Sequence, residues 1–231
     1  MEYITSSDFH FKDTAVALGK FEGIHRGHQL LMDEVKKQEL HGLRSVVFTF
    51  DRPTRLTLTG DTEYKQIYTK KERREILEKR GIDILIEHPF TKEFAALTPD
   101  RFIREVLVEK VGAKVIVVGT DFHFGKNRSG SITDLEKLEE ECGYHLIVVE
   151  KLQLNGKDIS STRIRASLEK GAMEEAKALL GRNYSVSGEI LHGNALGRTI
   201  QVPTINQQVP SFKLLPPNGV YVSKIHWIDE V

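Results

Sequence analysis

The sequence predicts an α/β protein: a doubly wound parallel sheet followed by a smaller β-rich module. Three observations carry this reading. Strand and helix patterns alternate through the first two-thirds of the chain. Glycine- and histidine-bearing segments directly follow strand patterns or open helices. From Arg182 onward the composition changes abruptly.

The elements follow in order. Residues 15–19 (AVALG) form a short apolar run that ends in glycine. Residues 27–38 place Leu30, Leu31, Glu34 and Val35 at helical spacing. Residues 46–50 (VVFTF) read as a buried strand rich in β-branched and aromatic side chains. The next helix spans 69–80, opened by the capping pair Thr69 and Glu72 and closed before Gly81. Residues 83–87 are another apolar run. Thr98-Pro99 starts a helix through Val111, with Pro99 suited to its first position. Residues 114–119 (KVIVVG) are a strand, 131–141 a helix capped by Ser131 and Asp134, and 145–149 a strand. Further helices open at Ser160 and end near Leu180. Strands separated by helices of this length imply a parallel sheet covered on both faces. Ligands of such sheets bind at the carboxyl ends of the strands.

The last fifty residues hold only seven charged side chains but four of the seven prolines. Alternation in 184–190 and 220–227 reads as strands. The expected division is therefore 1–182 and 183–231. Two or three strands seldom close a core, so the second module is expected to be cut off before completion.

Composition narrows the function. Thirty-three basic and thirty-three acidic residues among 231 cancel. That argues against a nucleic-acid-packaging protein or a broadly membrane-adhering surface. The single cysteine, Cys142, excludes an intrachain disulfide and a cysteine zinc cluster. The first residues lack a signal-peptide pattern, and no apolar stretch approaches the roughly 18 residues of a membrane span. The expectation is a cytoplasmic protein that binds neither nucleic acid nor membrane.

Four segments carry chemistry. Gly19-Lys20-Phe21-Glu22-Gly23-Ile24-His25-Arg26-Gly27-His28 lies between the first strand and the first helix. Its glycines admit a ligand close to the backbone, and the helix amino terminus offers free N–H groups to phosphate. His25 and His28 can reach one anion there and stabilise charge on a bridging oxygen. Ser160, Ser161, Thr162 and Arg165 form a second phosphate cradle at another helix start. Residues 119–125 (GTDFHFG) follow a strand, and Asp121 and Phe122 could face a flat ring. Asp51, after the second strand, could serve a ribose or a metal. Two phosphate cradles at one strand-end crevice suit a nucleoside triphosphate, and the glycine-lysine P-loop is absent.

The combination GKFEGIHRGH, FTFDRP, GTDFHFG and ISSTRIR resembles the bacterial bifunctional riboflavin kinase/FMN adenylyltransferases. The tail segments GNALGRT, PTIN and LLPPNGVY resemble the kinase half of the same family. The resemblance implies a Rossmann-like HxGH nucleotidyltransferase domain, then part of a riboflavin-kinase β-barrel. It implies that ATP adenylylates FMN to FAD, with Mg²⁺ offsetting phosphate charge, and that the complete family member phosphorylates riboflavin. Carried over residue by residue, His25, His28 and Arg165 are the catalytic candidates. Gly19, Phe21, Gly23, Ser160, Ser161 and Thr162 join them around ATP; Asp51, Asp121 and Phe122 are the flavin candidates. Thr204 and Asn206 would hold Mg-ATP in the kinase half. Lys20, Glu22, Gln201 and Ile205 depart from the usual motifs. The family's kinase base lies beyond Val231, so the 231-residue chain is expected to make FAD from FMN yet not FMN from riboflavin. The rivals are an HxGH transferase for another phosphate acceptor and a non-catalytic flavin or nucleotide sensor. The sequence leaves the oligomeric state open.

Overall fold

The structure is a computed structural model of the full chain, and it describes residues 1–61, 63–191 and 204–226. A six-stranded parallel sheet forms its centre, in the order β1 (Glu2–Ile4), β4 (Ile84–His88), β3 (Arg44–Phe50), β2 (Thr14–Leu18), β5 (Ala113–Gly119), β6 (His145–Val149). The five strand patterns read in the first two-thirds of the chain are all present. β1 is an addition: three residues pair with β4 as a parallel edge, a run too short for alternation to show.

Helices cover both faces. α1 (Arg26–Lys37) follows β2; α2 (Thr54–Thr59) and α3 (Lys70–Lys79) lie between β3 and β4. α4 (Lys92–Ala95) is a single turn, and α5 (Pro99–Arg101) opens at Thr98 with proline in its first turn. The helix then continues through Phe102–Lys110 in a wider winding, in which the Val111 N–H donates to the Val106 carbonyl five residues back. The sequence pattern marks the extent of this helix but not its width. α6 (Ile132–Cys142) precedes β6, and α7 (Ser161–Glu169) and α8 (Met173–Leu180) close the domain. Both expected capping boxes are present, at Thr69/Glu72 and Ser131/Asp134. One apolar cluster fills each side of the sheet, around Val16, Phe48, Ile86 and Ile116 on one and Ala17, Val47, Leu85 and Val117 on the other.

The order matters for function. Strands to one side of β2 were laid down before β5 and β6 were added on the other. Strand order therefore reverses between β2 and β5, and a crevice opens outside their carboxyl ends.

The tail departs from its expected pattern. β9 (Glu189–Leu191) pairs antiparallel with β10 (Asn206–Gln208), after a small hairpin β7 (Gln153–Leu154) and β8 (Lys157–Asp158) earlier in the chain. Of the alternating run 184–190, only its end is strand. Residues 220–226 are not strand, because no ladder partner stands beside them among the described residues. The GNALGRT segment, Gln201, Pro203 and Trp227 lie outside the described residues.

The tail is not a separate body. Gln66 and residues 212–214 exchange backbone hydrogen bonds, from Gln66 N–H to the Phe212 carbonyl (2.6 Å) and from Leu214 N–H to the Gln66 carbonyl (2.8 Å). Leu214 enters a third apolar cluster with Ile67, Ile164, Leu168 and Leu180. Beside it the Lys213 ammonium is fully buried, 2.6 Å from the Glu72 carboxylate, which is also buried. It donates to the Ile67 carbonyl at 2.7 Å and lies 4.6 Å from the ring centres of Tyr68 and Tyr184. Burial pulls this ammonium down to about 8. Glu72 also accepts from the backbone of Ser187 at 2.8 Å. Removing one partner of such a pair strands the other charge, at about 3–5 kcal/mol. Lys213→Met should therefore destabilise the chain by about that amount in denaturant titrations, while the Glu72→Gln/Lys213→Met double variant recovers much of the loss. Strictly additive losses would show that the two side chains are not coupled.

Candidate active site

The loop from β2 to α1 is short and tightly determined. Phe21 and Ile24 both take left-handed backbone conformations, with φ of 44° and 41°. For a β-branched residue this is an outlier that its surroundings must enforce. Both residues are completely buried. The Ile24 carbonyl accepts from Gln29 Nε2 (2.9 Å) and from the Arg182 guanidinium (2.8 Å). Gly19 is closely packed here: a Cβ on it would lie 3.0 Å from the Phe21 ring, which would have to give by a few tenths of an ångström.

His25 is the N-cap of α1, and its Nδ1 accepts from the His28 N–H at 3.2 Å. The cap fixes Nδ1 as an acceptor, so the neutral ring carries its proton on Nε2. The two imidazoles stack, with centres 3.6 Å apart, and Phe21 meets His28 edge-on at 5.1 Å. Burial, reinforced by the positive charge of Arg182, lowers His25 to about 4; the Asp121 carboxylate opposes this weakly. His28 is held well below its ordinary value by burial, then by His25 and Arg182. Its Nδ1 is buried without a hydrogen-bond partner. At neutral pH both rings are therefore uncharged.

The second cradle stands against the first. Ser160 caps α7, accepting from the Arg163 N–H at 3.3 Å. Ser161 and Ile164 face Gly23 so closely that a Cβ there would lie 3.4 Å from the Ile164 side chain and 3.8 Å from Ser161 Oγ. Arg165 pairs with Glu22, donates to the Lys65 carbonyl and lies 4.1 Å from the Tyr64 ring centre. Tyr64 in turn donates to Glu22 at 2.8 Å. Thr162 is exposed beside them. Arg163 turns away, onto Glu175 and the β7–β8 hairpin carbonyls.

The other candidates are placed unequally. Phe21 exposes no surface, so its part is to support His28 and Gly19 rather than to touch a nucleotide. Asp121 is exposed on the β5 side of the crevice and pairs with Lys151 at 3.1 Å. Phe122 is half-buried and stacked on Phe124, with centres 5.5 Å apart. Asp51 is engaged at both oxygens, by the Phe90 N–H and Arg52 Nε, each at 3.0 Å. It sits on the rim of a small cleft shared with Lys20, Glu22, Thr49, Tyr64 and Arg73. Thr204 and Asn206 are exposed, the one before β10 and the other at its start. Sequence reasoning missed Tyr64, Gln29 and Arg182. Arg182 left one signal: it is the first charge of the charge-poor tail and directly follows the α8 stop at Gly181.

Comparison with known proteins bears on all of this. A family model described as FAD synthetase matches residues 8–163, and one described as riboflavin kinase matches 180–231. The curated protein of Listeria monocytogenes named bifunctional riboflavin kinase/FMN adenylyltransferase is 34% identical over 96% of this chain and 70% of its own length. The protein of the same name from Bacillus subtilis is 35% identical over 94% and 69%. A crystal structure described as a macrolide-efflux protein of Streptococcus pneumoniae superposes with a TM-score of 0.85 and 31% identity, covering 96% of this chain and 73% of that one. That description concerns the other protein; in this chain no helix among the described residues is long and apolar enough to cross a membrane. With both halves matched in order and curated relatives aligned along nearly its whole length, the chain belongs to the bifunctional riboflavin kinase/FMN adenylyltransferase family.

Proposed function

We propose that the crevice transfers the adenylyl group of ATP to FMN, giving FAD and pyrophosphate, and that residues 183–231 belong to the riboflavin-phosphorylating half of the enzyme. The observation that carries the first part is the meeting of two helix amino termini at the sheet's reversal point. α1 brings His25 and His28, α7 brings Ser160, Ser161 and Thr162, and Gly23 is the point of contact between them. Each amino terminus offers unpaired N–H groups and a positive dipole end to an anion.

The reaction needs alignment and charge stabilisation rather than a protein nucleophile. An FMN phosphate oxygen forms the new bond to the α-phosphorus of ATP. The bond from that phosphorus to the α–β bridging oxygen breaks, and its electrons leave with pyrophosphate. His25 and His28, as neutral rings, donate N–H hydrogen bonds to the oxygens where this charge develops. Arg165 exchanges Glu22 for the departing pyrophosphate, while Ser160, Ser161 and Thr162 hold its other oxygens. Asp121, Phe122 and Asp51 border the flavin side. Among the described residues no three His, Cys, Asp or Glu side chains gather to hold a metal ion. Mg²⁺ would enter with ATP and offset phosphate charge, bound mainly through substrate oxygens. In the second half Thr204 and Asn206 would hold Mg-ATP. The working division is 1–182 and 183–231, and the setting is the cytoplasm, where ATP, FMN and riboflavin are the small-molecule partners.

Three outcomes test this reading. His28→Ala should lower kcat for pyrophosphate release from ATP and FMN by roughly 10²–10³-fold, the scale of one lost preorganised donor, with the thermal midpoint nearly unchanged; wild-type turnover would remove His28 from the mechanism. Arg165→Lys should keep the fold but lose about 10–100-fold in kcat, because lysine cannot present a planar fork or stack on Tyr64. Loss of the fold instead would make Arg165 structural. His25 has a depressed folded-state value near 4 against 6.5 when unfolded, so the unfolded chain takes up its proton first as pH falls. Its contribution to stability is present above 6.5 and drains away down to pH 4, by roughly 3 kcal/mol. His25→Gln, whose amide oxygen can still cap α1, should flatten the stability profile in that window; an unchanged slope would contradict the assignment.

A further inference from the structure

We propose that Arg182 is a positioning residue for adenylyl transfer: from behind the crevice it fixes the Gly23–Ile24 backbone and thereby sets both histidines. The inference rests on the reading of the crevice given above. The guanidinium spans three carbonyls. Nη1 donates to Ile24 (2.8 Å) and Leu180 (3.2 Å), and Nη2 donates to Gly23 (2.8 Å). The guanidinium carbon lies 5.0 Å from the Tyr68 ring centre. Ile24 is the β-branched residue held at positive φ, and the next residue, His25, is the α1 cap whose Nδ1 orients His28. Release of these two carbonyls would let the backbone relax out of the left-handed region and turn the cap with it.

A second arm supports the first. Gln29 Nε2 joins the same Ile24 and Leu180 carbonyls, at 2.9 and 2.8 Å. The end of α8 and the start of the tail are thus stitched to the loop by two side chains, one from α1 and one from residue 182. Only the guanidinium also carries charge. The groups that face the histidine pair are Arg182 on one side and Asp121 on the other; Arg80 and Tyr68 border Arg182 itself. Arg182 is thus the positive charge that helps keep both rings neutral. Its Nη1 and Nη2 are engaged by backbone carbonyls, and its Nε is buried without a hydrogen-bond partner. Loss of Arg182 therefore disturbs the reacting geometry, where errors of about an ångström cost up to 10²-fold, and leaves ground-state binding largely intact.

Two variants separate geometry from charge. Arg182→Lys keeps the charge but cannot span three carbonyls. It should lower kcat for pyrophosphate release about 10–100-fold, hold the KM for ATP within about threefold, and leave the His25 imidazole titration, read by NMR without substrate, where it is. Arg182→Gln should lower kcat at least as far and move the His25 titration upward from about 4 toward its ordinary value. Wild-type kcat in the lysine variant, or an unmoved His25 titration in the glutamine variant, overturns the proposal, as does a drop in thermal midpoint with kcat intact. If the wild-type chain releases no pyrophosphate from ATP and FMN, the reading of the reaction fails, while the imidazole titrations still decide whether Arg182 sets the histidines.

Discussion

Everything at the crevice depends on how the chain leaves β2. Only residues 19–25 separate the strand from α1, and the helix must start with its amino terminus aimed outside the sheet. Two non-glycine residues absorb the turn at positive φ, each at a cost of about 1–3 kcal/mol. Complete burial of Phe21 and Ile24 offsets that cost, because relaxing the turn would expose an aromatic ring and a branched aliphatic side chain. The strain is what lets His25 serve at once as helix cap and as a wall of the crevice. A relaxed loop of the same length would put the cap elsewhere.

That loop is held from a distance. α7 is positioned by the third apolar cluster, whose members come from residues 67–68, 159–180 and 214. Leu214 and Lys213 reach it from the tail, and Tyr184 donates to the Ile67 and Leu214 carbonyls. The second phosphate cradle therefore stands on a core that the tail helps to fill. A boundary near residue 182 follows the change in composition, yet among the described residues no clean plane of packing separates the two parts. The Lys213–Glu72 pair and the hydrogen bond from Tyr184 to the Ile67 carbonyl both cross it.

Periodicity and capping reported the fold because each depends on neighbours in sequence. The strands at 46–50 and 114–119 and the capping box at Thr69 rest on local chemistry, and they stand where the patterns put them. The crevice was legible in outline for a similar reason: GKFEGIHRGH and ISSTRIR are contiguous, and each opens a helix. What stayed hidden was everything that depends on long-range approach. Nothing local marks Arg182 as a partner of Gly23, 159 residues away, or Lys213 as buried rather than solvated. A motif names Phe21 without saying which way it faces, and its ring is buried. Residues 220–226 alternate like a strand, but alternation is only half of one; a strand also needs a neighbour.

The charges of the crevice are also arranged in a way that composition conceals. Arg165 is matched by Glu22, Lys151 by Asp121, and Arg182 is spread over three carbonyls. The two histidines are neutral. Under the proposed reaction, a triphosphate then meets helix amino termini and neutral donors first, and gains the Arg165 guanidinium by displacing Glu22. Such an exchange of ion-pair partners avoids leaving a desolvated cation waiting in the ligand-free protein, which burial would penalise. It also bears on release. Pyrophosphate carries more charge than the flavin product, and a standing cluster of unpaired cations would retain it. With Glu22 beside Arg165, the carboxylate can reclaim the guanidinium as pyrophosphate departs, so the ion pair that opens for the substrate also helps the product to leave.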